Sequence, residues 1–250
     1  MEEVELIDKI KQKRELGGID NSVVLDSLNS YIKKHNLLIP TLKKSEKKII
    51  IKAVRAELRT LVGQFQKGKR NNISDYTELL KTHLSTSERL SFYPHLINLF
   101  KKLKIKSILD LGCGLNPLAL ADKKIKYFAS DINSVELSII SGFFKKNKVD
   151  GETFVCDLRK IEAYELPETD ITLIFKVLDI IENKGHKLAE KVLLSLKSKY
   201  ALISFPTKKL SGKSMNFPRR LWFEKMLSRL SLKFETFKSD NEIFYLINNK

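Results

Sequence analysis

From residue 107 onward, the apolar positions fall into short, nearly continuous runs separated by stretches with a helical period. The runs cover Ser107 to Leu111, Lys126 to Ile132, Glu152 to Val155, Asp170 to Leu178 and Tyr200 to Phe205. Between them, Val135, Leu137, Ile139, Ile140 and Phe143, then Leu188, Val192, Leu193 and Leu196, recur at spacings that place them on one side of a helix. Strands that are apolar throughout, alternating with helices, predict a parallel sheet covered on both faces. The chain closes with two further strands, Lys233 to Ser239 and Glu242 to Asn248, around an Asp240-Asn241 turn, which predicts an antiparallel hairpin. Residues 1–105 lack strand-like alternation and read as helices. Their clearest pattern runs from Thr41 to Gln66, with Ile50, Val54, Leu58, Leu61 and Phe65 on one stripe and Lys44, Lys48, Lys52, Arg55 and Arg59 on another. The expected organisation is an α/β, Rossmann-like domain over 106–250 with a C-terminal antiparallel hairpin, preceded by a basic helical extension over 1–105.

The first strand ends in Asp110-Leu111-Gly112-Cys113-Gly114, and the position where a dinucleotide fingerprint wants its third glycine holds Pro117. A glycine turn that lets backbone approach a ligand, with an acid beside it and no pyrophosphate cradle, fits S-adenosylmethionine (SAM), whose sulfonium and ammonium favour acidic or carbonyl neighbours. Asp131 ends the second strand about twenty residues later, where a carboxylate can accept both ribose hydroxyls. Asp157, followed by Leu158, ends the third and could accept from the adenine amino group. Lys176 lies near the end of the fourth. Upstream, Ser85-x-x-Glu88 reads as a capping box that starts a helix, and Arg89 could face the SAM carboxylate.

Charge changes the picture of the partner. The chain has 46 Lys and Arg against 30 Asp and Glu, a net charge of +16, which points towards nucleic acid. The five aligned cations of the basic helix are either a solvated face or a surface that tracks phosphates. Membrane binding is disfavoured, because the apolar stripe is committed to a core and lacks tryptophan. A long segment after the fifth strand, 206–222, carries Lys208, Lys209, Lys213, Arg219 and Arg220 interleaved with Met215, Phe217 and Trp222. Such a loop suits an unstacked nucleotide, although Trp222 and Phe223 could instead start a helix and pack inward. No run of eighteen apolar residues and no signal-peptide core is visible, so the expected setting is the cytoplasm, with Cys113 and Cys156 reduced. The four histidines have no metal-ligand spacing.

Read together and in order, HLSTSER at 83–89, DLGCGLNPLAL at 110–120, LIFKVL at 173–178, ISFPTKKLSGK at 203–213, LWFE at 221–224 and EIFYLI at 242–247 resemble the 16S ribosomal RNA guanine-N7 methyltransferases of aminoglycoside resistance, the Arm/Rmt type. The resemblance implies SAM as cofactor and methylation of a decoding-site guanine of 16S rRNA in the assembled 30S subunit, by a monomer. It implies that Arg89, Gly112, Asp131 and Asp157 contact SAM, that Lys176, Met215 and Arg219 or Arg220 lie near the target, and that the N-terminal helices dock on rRNA. Two departures stand out: Asp179 occupies a position where the family has proline, and a Gly-Lys-Gly-Met loop is shortened to Lys213-Ser214-Met215. Independently of the family, guanine N7 carries an in-plane lone pair and no proton, so its methylation needs positioning and no general base. The motif for methylating exocyclic amines is absent after the fourth strand, and neither cysteine sits where pyrimidine C5 chemistry needs one. A different RNA guanine, a small-molecule acceptor and a non-catalytic ribosome-binding factor remain open from sequence.

Overall fold

The computed structural model describes residues 2–62, 75–182, 185–209 and 212–249. Helices α1 (Glu2–Lys11), α2 (Asn21–Lys34) and α3 (Lys44–Val62) form a module with its own core. Its sequence logic is plain in α3, where Ile50, Val54, Leu58 and Val62, spaced by four, are the buried residues. Helix α2 starts at Asp20, whose carboxylate accepts from the Ser22 amide at 2.9 Å. Phe65 and Gln66, expected in the α3 pattern, lie outside the described residues.

The rest of the described chain is a seven-stranded sheet with flanking helices. The strands are β1 (Ser107–Leu111), β2 (Lys126–Asp131), β3 (Gly151–Val155), β4 (Ile171–Phe175), β5 (Tyr200–Pro206), β6 (Lys233–Lys238) and β7 (Glu242–Asn248), in the spatial order β3-β2-β1-β4-β5-β7-β6. The first five are parallel; β7 pairs antiparallel with both β5 and β6. Successive side chains of β1 go to opposite faces: Ile108 joins a core with Leu96, Phe100, Ile140 and Phe144, whereas Leu109 and Leu111 join one with Val192, Leu193, Phe223 and Leu227. The covering helices are α4 (Tyr76–Lys81), α5 (Leu84–Arg89), α6 (Tyr93–Lys102), α7 (Pro117–Leu120), α8 (Ser134–Asn147), α9 (Leu178–Ile181), α10 (Lys187–Ser195) and α11 (Leu221–Arg229).

Three local expectations change. The division at 105 is not where the cores divide. Leu79, Leu80, Tyr93, Leu96 and Phe100 pack with the sheet, so the change of core falls between Val62 and Leu79. A helical period shows an apolar face but not what it packs against. The apolar run 170–178 is a strand only to Phe175. Lys176 adopts φ +60°, and Leu178 already begins α9. The capping box is not used as such: α5 begins at Leu84 after His83, and Ser85 lies inside it, accepting from Arg89 Nη2 at 3.0 Å.

The two modules meet at the β2–α8 connection. The Asp20 amide donates to the Ile132 carbonyl at 2.8 Å, and Ser134 Oγ donates to the Gly18 carbonyl at 3.3 Å. Among the described residues, no helix is long and apolar enough to cross a membrane.

Candidate functional site

At the carboxyl ends of β1, β2 and β3 lies a cleft lined by the glycine turn, Asp131, Asp157 and residues of α3 and α5. Its floor is the glycine turn. Gly112 and Gly114 hold φ of +67° and +50°; a Cβ at the first would sit 2.6 Å from Val177 Cγ2, and at the second 2.8 Å from His83 Cε1. Asp131, from the tip of β2, accepts from the Gly114 amide at 2.9 Å and the Asn133 amide at 3.0 Å. Burial and the nearby Glu136 charge push its carboxyl up to about 6. Asp131, Glu136 and Asp157 all line the cleft, so it is acidic, and a ligand of net positive charge relieves their repulsion. Leu158 supplies apolar wall, as do Leu61 and Val62 from α3 of the N-terminal module. The thiols of Cys113 and Cys156 face the same space; burial raises both, Cys156 to about 12, which keeps them neutral. A narrow turn, a hydroxyl-accepting carboxylate and an acidic lining fit SAM.

Asp157 is also engaged by protein. Arg159 donates to it through Nε at 2.9 Å and Nη2 at 2.6 Å, and continues to Glu57 of α3 and, at 3.1 Å, to Ser27 Oγ of α2. Only the remaining lone pairs of Asp157 are left for a ligand.

Two residues expected at the cofactor stand behind the wall instead. Asp110 is fully buried beneath the turn, accepts from Tyr127 Oη at 2.8 Å, and is pushed up to about 7 by burial. Arg89 is buried too. Its guanidinium donates to Asn116 Oδ1 at 2.7 Å and Glu242 Oε2 at 2.9 Å and lies 4.6 Å from the Phe175 ring centroid. It reaches the cleft through Ser85 and Asn116, which do line it. The sequence put Asp110 beside the turn, and the family resemblance put Arg89 at the cofactor, but neither could show which way the side chain points. Glu136, Asn116 and His83 were missed; the available signal for Glu136 was an acid five residues past Asp131.

A second cavity opens beside the cleft and shares Ser85 and Ile180 with it. It is lined by Glu88, Lys176, Asp179, Lys208, Lys209 and Met215, among others. Lys176 Nζ donates to Glu88 Oε2 at 2.6 Å and lies 3.4 Å from Glu242 Oε1. The cationic loop is partly a hairpin: Lys208 bridges to Ser214, the Lys209 amide donates to the Lys213 carbonyl at 2.8 Å, and the Met215 amide donates to Thr207. Leu210 and Ser211, at its tip, lie outside the described residues. Arg220 clamps its base, donating to Asp179 Oδ2 at 2.7 Å and the Pro206 carbonyl at 3.0 Å. Asp179, the departure noted in the sequence, therefore anchors the loop.

Other members of the segment are not at this cavity. Arg219 forms a two-point pair with Glu224 at 2.7 Å per bond, and Lys213 is exposed. Trp222 stacks on His186, centroids 4.0 Å apart, and meets Phe205 edge-on, so it packs with the protein and is not offered to a base. Phe217 is 82% exposed.

On the N-terminal module, Lys9, Lys13, Lys48, Lys52, Arg55 and Arg59 line an open groove between α1 and α3. The five aligned cations of α3 are not equivalent. Arg55 donates to the carbonyls of Lys9 and Ile10, closing the end of α1, and Arg59 pairs with Glu15 at 2.7 Å. Lys44, Lys48 and Lys52 are exposed.

The family model described as ribosomal RNA methyltransferase (FmrO) matches residues 48–245. A 16S rRNA (guanine(1405)-N(7))-methyltransferase of Micromonospora rosea is 30% identical over 183 residues, covering 68% of this chain and 64% of the relative. A protein of the same description from Serratia marcescens is 33% identical over 155 residues, 60% of this chain and 61% of the relative. The chain thus spans a little under two-thirds of the length of these curated relatives. Among solved structures, the 16S rRNA methyltransferase RmtF in complex with S-adenosyl-L-homocysteine superposes with TM-score 0.78 at 20% identity, covering 100% of this chain and 98% of that one, a likeness of fold. The 16S rRNA methylase ArmA gives TM-score 0.57 at 30% identity over 69% of this chain and 90% of that one.

Proposed function

The chain belongs to the ribosomal RNA methyltransferase (FmrO) family, and from that membership we propose that it uses SAM to methylate N7 of a guanine in 16S rRNA. The finer reading is the decoding-site guanine of the 1405 type named in its relatives, modified by a monomer on the assembled 30S subunit, with aminoglycoside resistance as the consequence. One observation carries the reading: an acidic, glycine-floored cleft shares Ser85 and Ile180 with a cavity where Lys176, Lys208 and Lys209 stand with Glu88 and Asp179. The first suits a cationic cofactor and the second a nucleotide, whose base meets the mixed charges and whose phosphate meets Lys208 and Lys209.

Asp131 would hold the ribose hydroxyls, Asp157 and Leu158 the adenine side, and the backbone at Gly112 and Gly114 would approach the cofactor closely. When bound, SAM supplies an electrophilic methyl on a sulfonium. The target nitrogen has no proton to remove, so the residues of this chain have to orient the base and exclude water. Lys176 is placed to hold guanine O6 or a phosphate, Met215 to contact the base, and Lys208 and Lys209 to hold flanking phosphates, with Lys213 and Arg219 further out. Arg220 acts through the loop it clamps. Lys44, Lys48 and Lys52 are the docking cations of α3, and Arg55 and Arg59 add charge to the groove that Lys48 and Lys52 line.

The test is incubation with labelled SAM and either intact small subunits or naked 16S rRNA, followed by borohydride–aniline mapping. A single N7-methylguanine in the decoding site of intact subunits is the expected result. Label without cleavage, or no label on either RNA, refutes the N7 assignment.

A further inference from the structure

We infer that Glu88 reads the guanine, its carboxylate accepting from the base N1–H and exocyclic N2–H while Lys176 donates to O6. The inference rests on the proposed N7 methylation and names the residue that makes it guanine-specific.

The argument starts from a backbone anomaly. Lys176 is a non-glycine residue at φ +60°, a conformation that costs free energy and persists where the surroundings impose it. Its effect is to end β4 early and turn a 7%-exposed lysine into the cavity, against Glu88 at 2.6 Å. Glu242 does not fully account for the lysine, because its Oε1 stands 3.4 Å from Nζ without a hydrogen bond, whereas Glu88 accepts at 2.6 Å. The cavity therefore presents an ammonium and a carboxylate side by side, each about one hydrogen bond from the other.

That pair is the complement of one nucleobase edge. Guanine offers, in sequence, an acceptor at O6 and donors at N1 and N2. Adenine offers a donor and then an acceptor, which meets both groups with the wrong sign. Cytosine and uracil have no N7. A purine gripped at N1, N2 and O6 leaves N7, which sits beside O6 on the adjoining edge, uncovered. Along α5, Ser85 lies one helical turn from Glu88 and lines both cavities, so the free side of the base has the cofactor cleft within reach. Ile180, Pro206 and Met215 supply apolar surface for the ring faces. On entry, guanine replaces the Glu88–Lys176 bond with bonds to each partner, and Lys176 keeps Glu242 as its counter-charge.

The experiment uses small subunits carrying guanosine or inosine at the target, inosine lacking only the N2 amino group. Single-turnover N7 methylation is measured with the wild-type protein, Glu88→Ala and Glu88→Gln, alongside SAM and subunit affinity for each. The wild-type protein should prefer guanosine by at least roughly tenfold, the scale of a hydrogen bond to a charged acceptor. In Glu88→Ala the preference should fall to about one, with SAM affinity retained. Glu88→Gln, which keeps the shape but replaces an acceptor with a donor, should follow Ala. A merely structural Glu88 would leave the ratio unchanged while the overall rate falls, and that result overturns the inference, as does a wild-type ratio near one. Failure of the wild-type protein to methylate any guanosine N7 overturns the functional reading itself, and the role of Glu88 with it.

Discussion

Replacing Glu242 by Gln should cost the sheet module about 3–5 kcal/mol, the scale for breaking a buried ion pair from one side. Glu242 and Arg89 are both 0% exposed, and the Arg89 guanidinium has no route to water when its partner is neutralised. The loss is compounded at Lys176, 3.4 Å from Glu242 Oε1, and at Ser204, whose hydroxyl donates to Oε2. For a chain of this size the corresponding fall in Tm is about 6–20 °C. The reporter is Trp222, the single tryptophan, which packs in the sheet module and so senses that module's unfolding by fluorescence in urea or on heating. The pH dependence adds an independent check. Burial alone would raise the Glu242 carboxyl, but Arg89 and Lys176 outweigh it and hold the group below its ordinary 4.5. A depressed folded value means the carboxylate stabilises the fold above 4.5 and that this contribution disappears as pH falls through the lower folded value. The wild-type advantage over Glu242→Gln should therefore shrink in acid. A cost below about 1 kcal/mol, or equal losses of the two proteins in acid, would refute the reasoning. Combining Arg89→Met with Glu242→Gln should recover part of the loss, because no unpaired charge then remains buried.

Asp131 works in the opposite sense. Its carboxyl is raised from 3.8 to about 6, so ionisation disfavours the fold as pH rises through that interval, while a cationic cofactor favours the ionised form. SAM affinity measured by calorimetry should fall as pH drops below about 6, and Asp131→Asn should be weaker and nearly flat with pH; equal affinity of the two proteins would remove Asp131 from the site. Reversing Lys48 and Lys52 to Glu should weaken subunit binding and lower its salt slope by about two with no change in melting. Arg55→Glu should also destabilise the N-terminal module, since Arg55 closes α1. Binding unchanged in the double reversal at moderate salt would return that face to solvent. Asp179→Ala should slow methyl transfer without changing SAM affinity, and cost about 1 kcal/mol of stability or less because its pair with Arg220 is only partly buried. An unaltered rate would mean that the loop does not need its clamp.

The amino-acid sequence by itself determined the layers, the strand succession and the cofactor turn. Each follows from local periodicity or from a backbone that only glycine tolerates, and Gly112, Gly114 and Asp131 accordingly sit together in the cleft. The order of strands across the sheet is not a local property, yet alternation of strand and helix restricts it enough that the parallel core and the terminal hairpin were legible. Side-chain direction was not. Asp110 and Arg89 are next to the right elements but are turned into the interior, and Trp222 is taken by His186. Nor could spacing separate the α3 lysines that remain exposed from Arg55 and Arg59, which bind α1 and Glu15. Only the tertiary structure brought Glu88, Lys176 and Glu242 into one charged cluster, since they come from α5, the end of β4 and the start of β7. It also decided that α3 carries a cationic groove on one side and closes the cleft with Leu61 and Val62 on another. The physical reason is common to both. A helix or strand is specified by neighbours a few residues away, whereas a charge acquires its partner, its burial and its direction from residues that the fold brings from up to 153 positions distant.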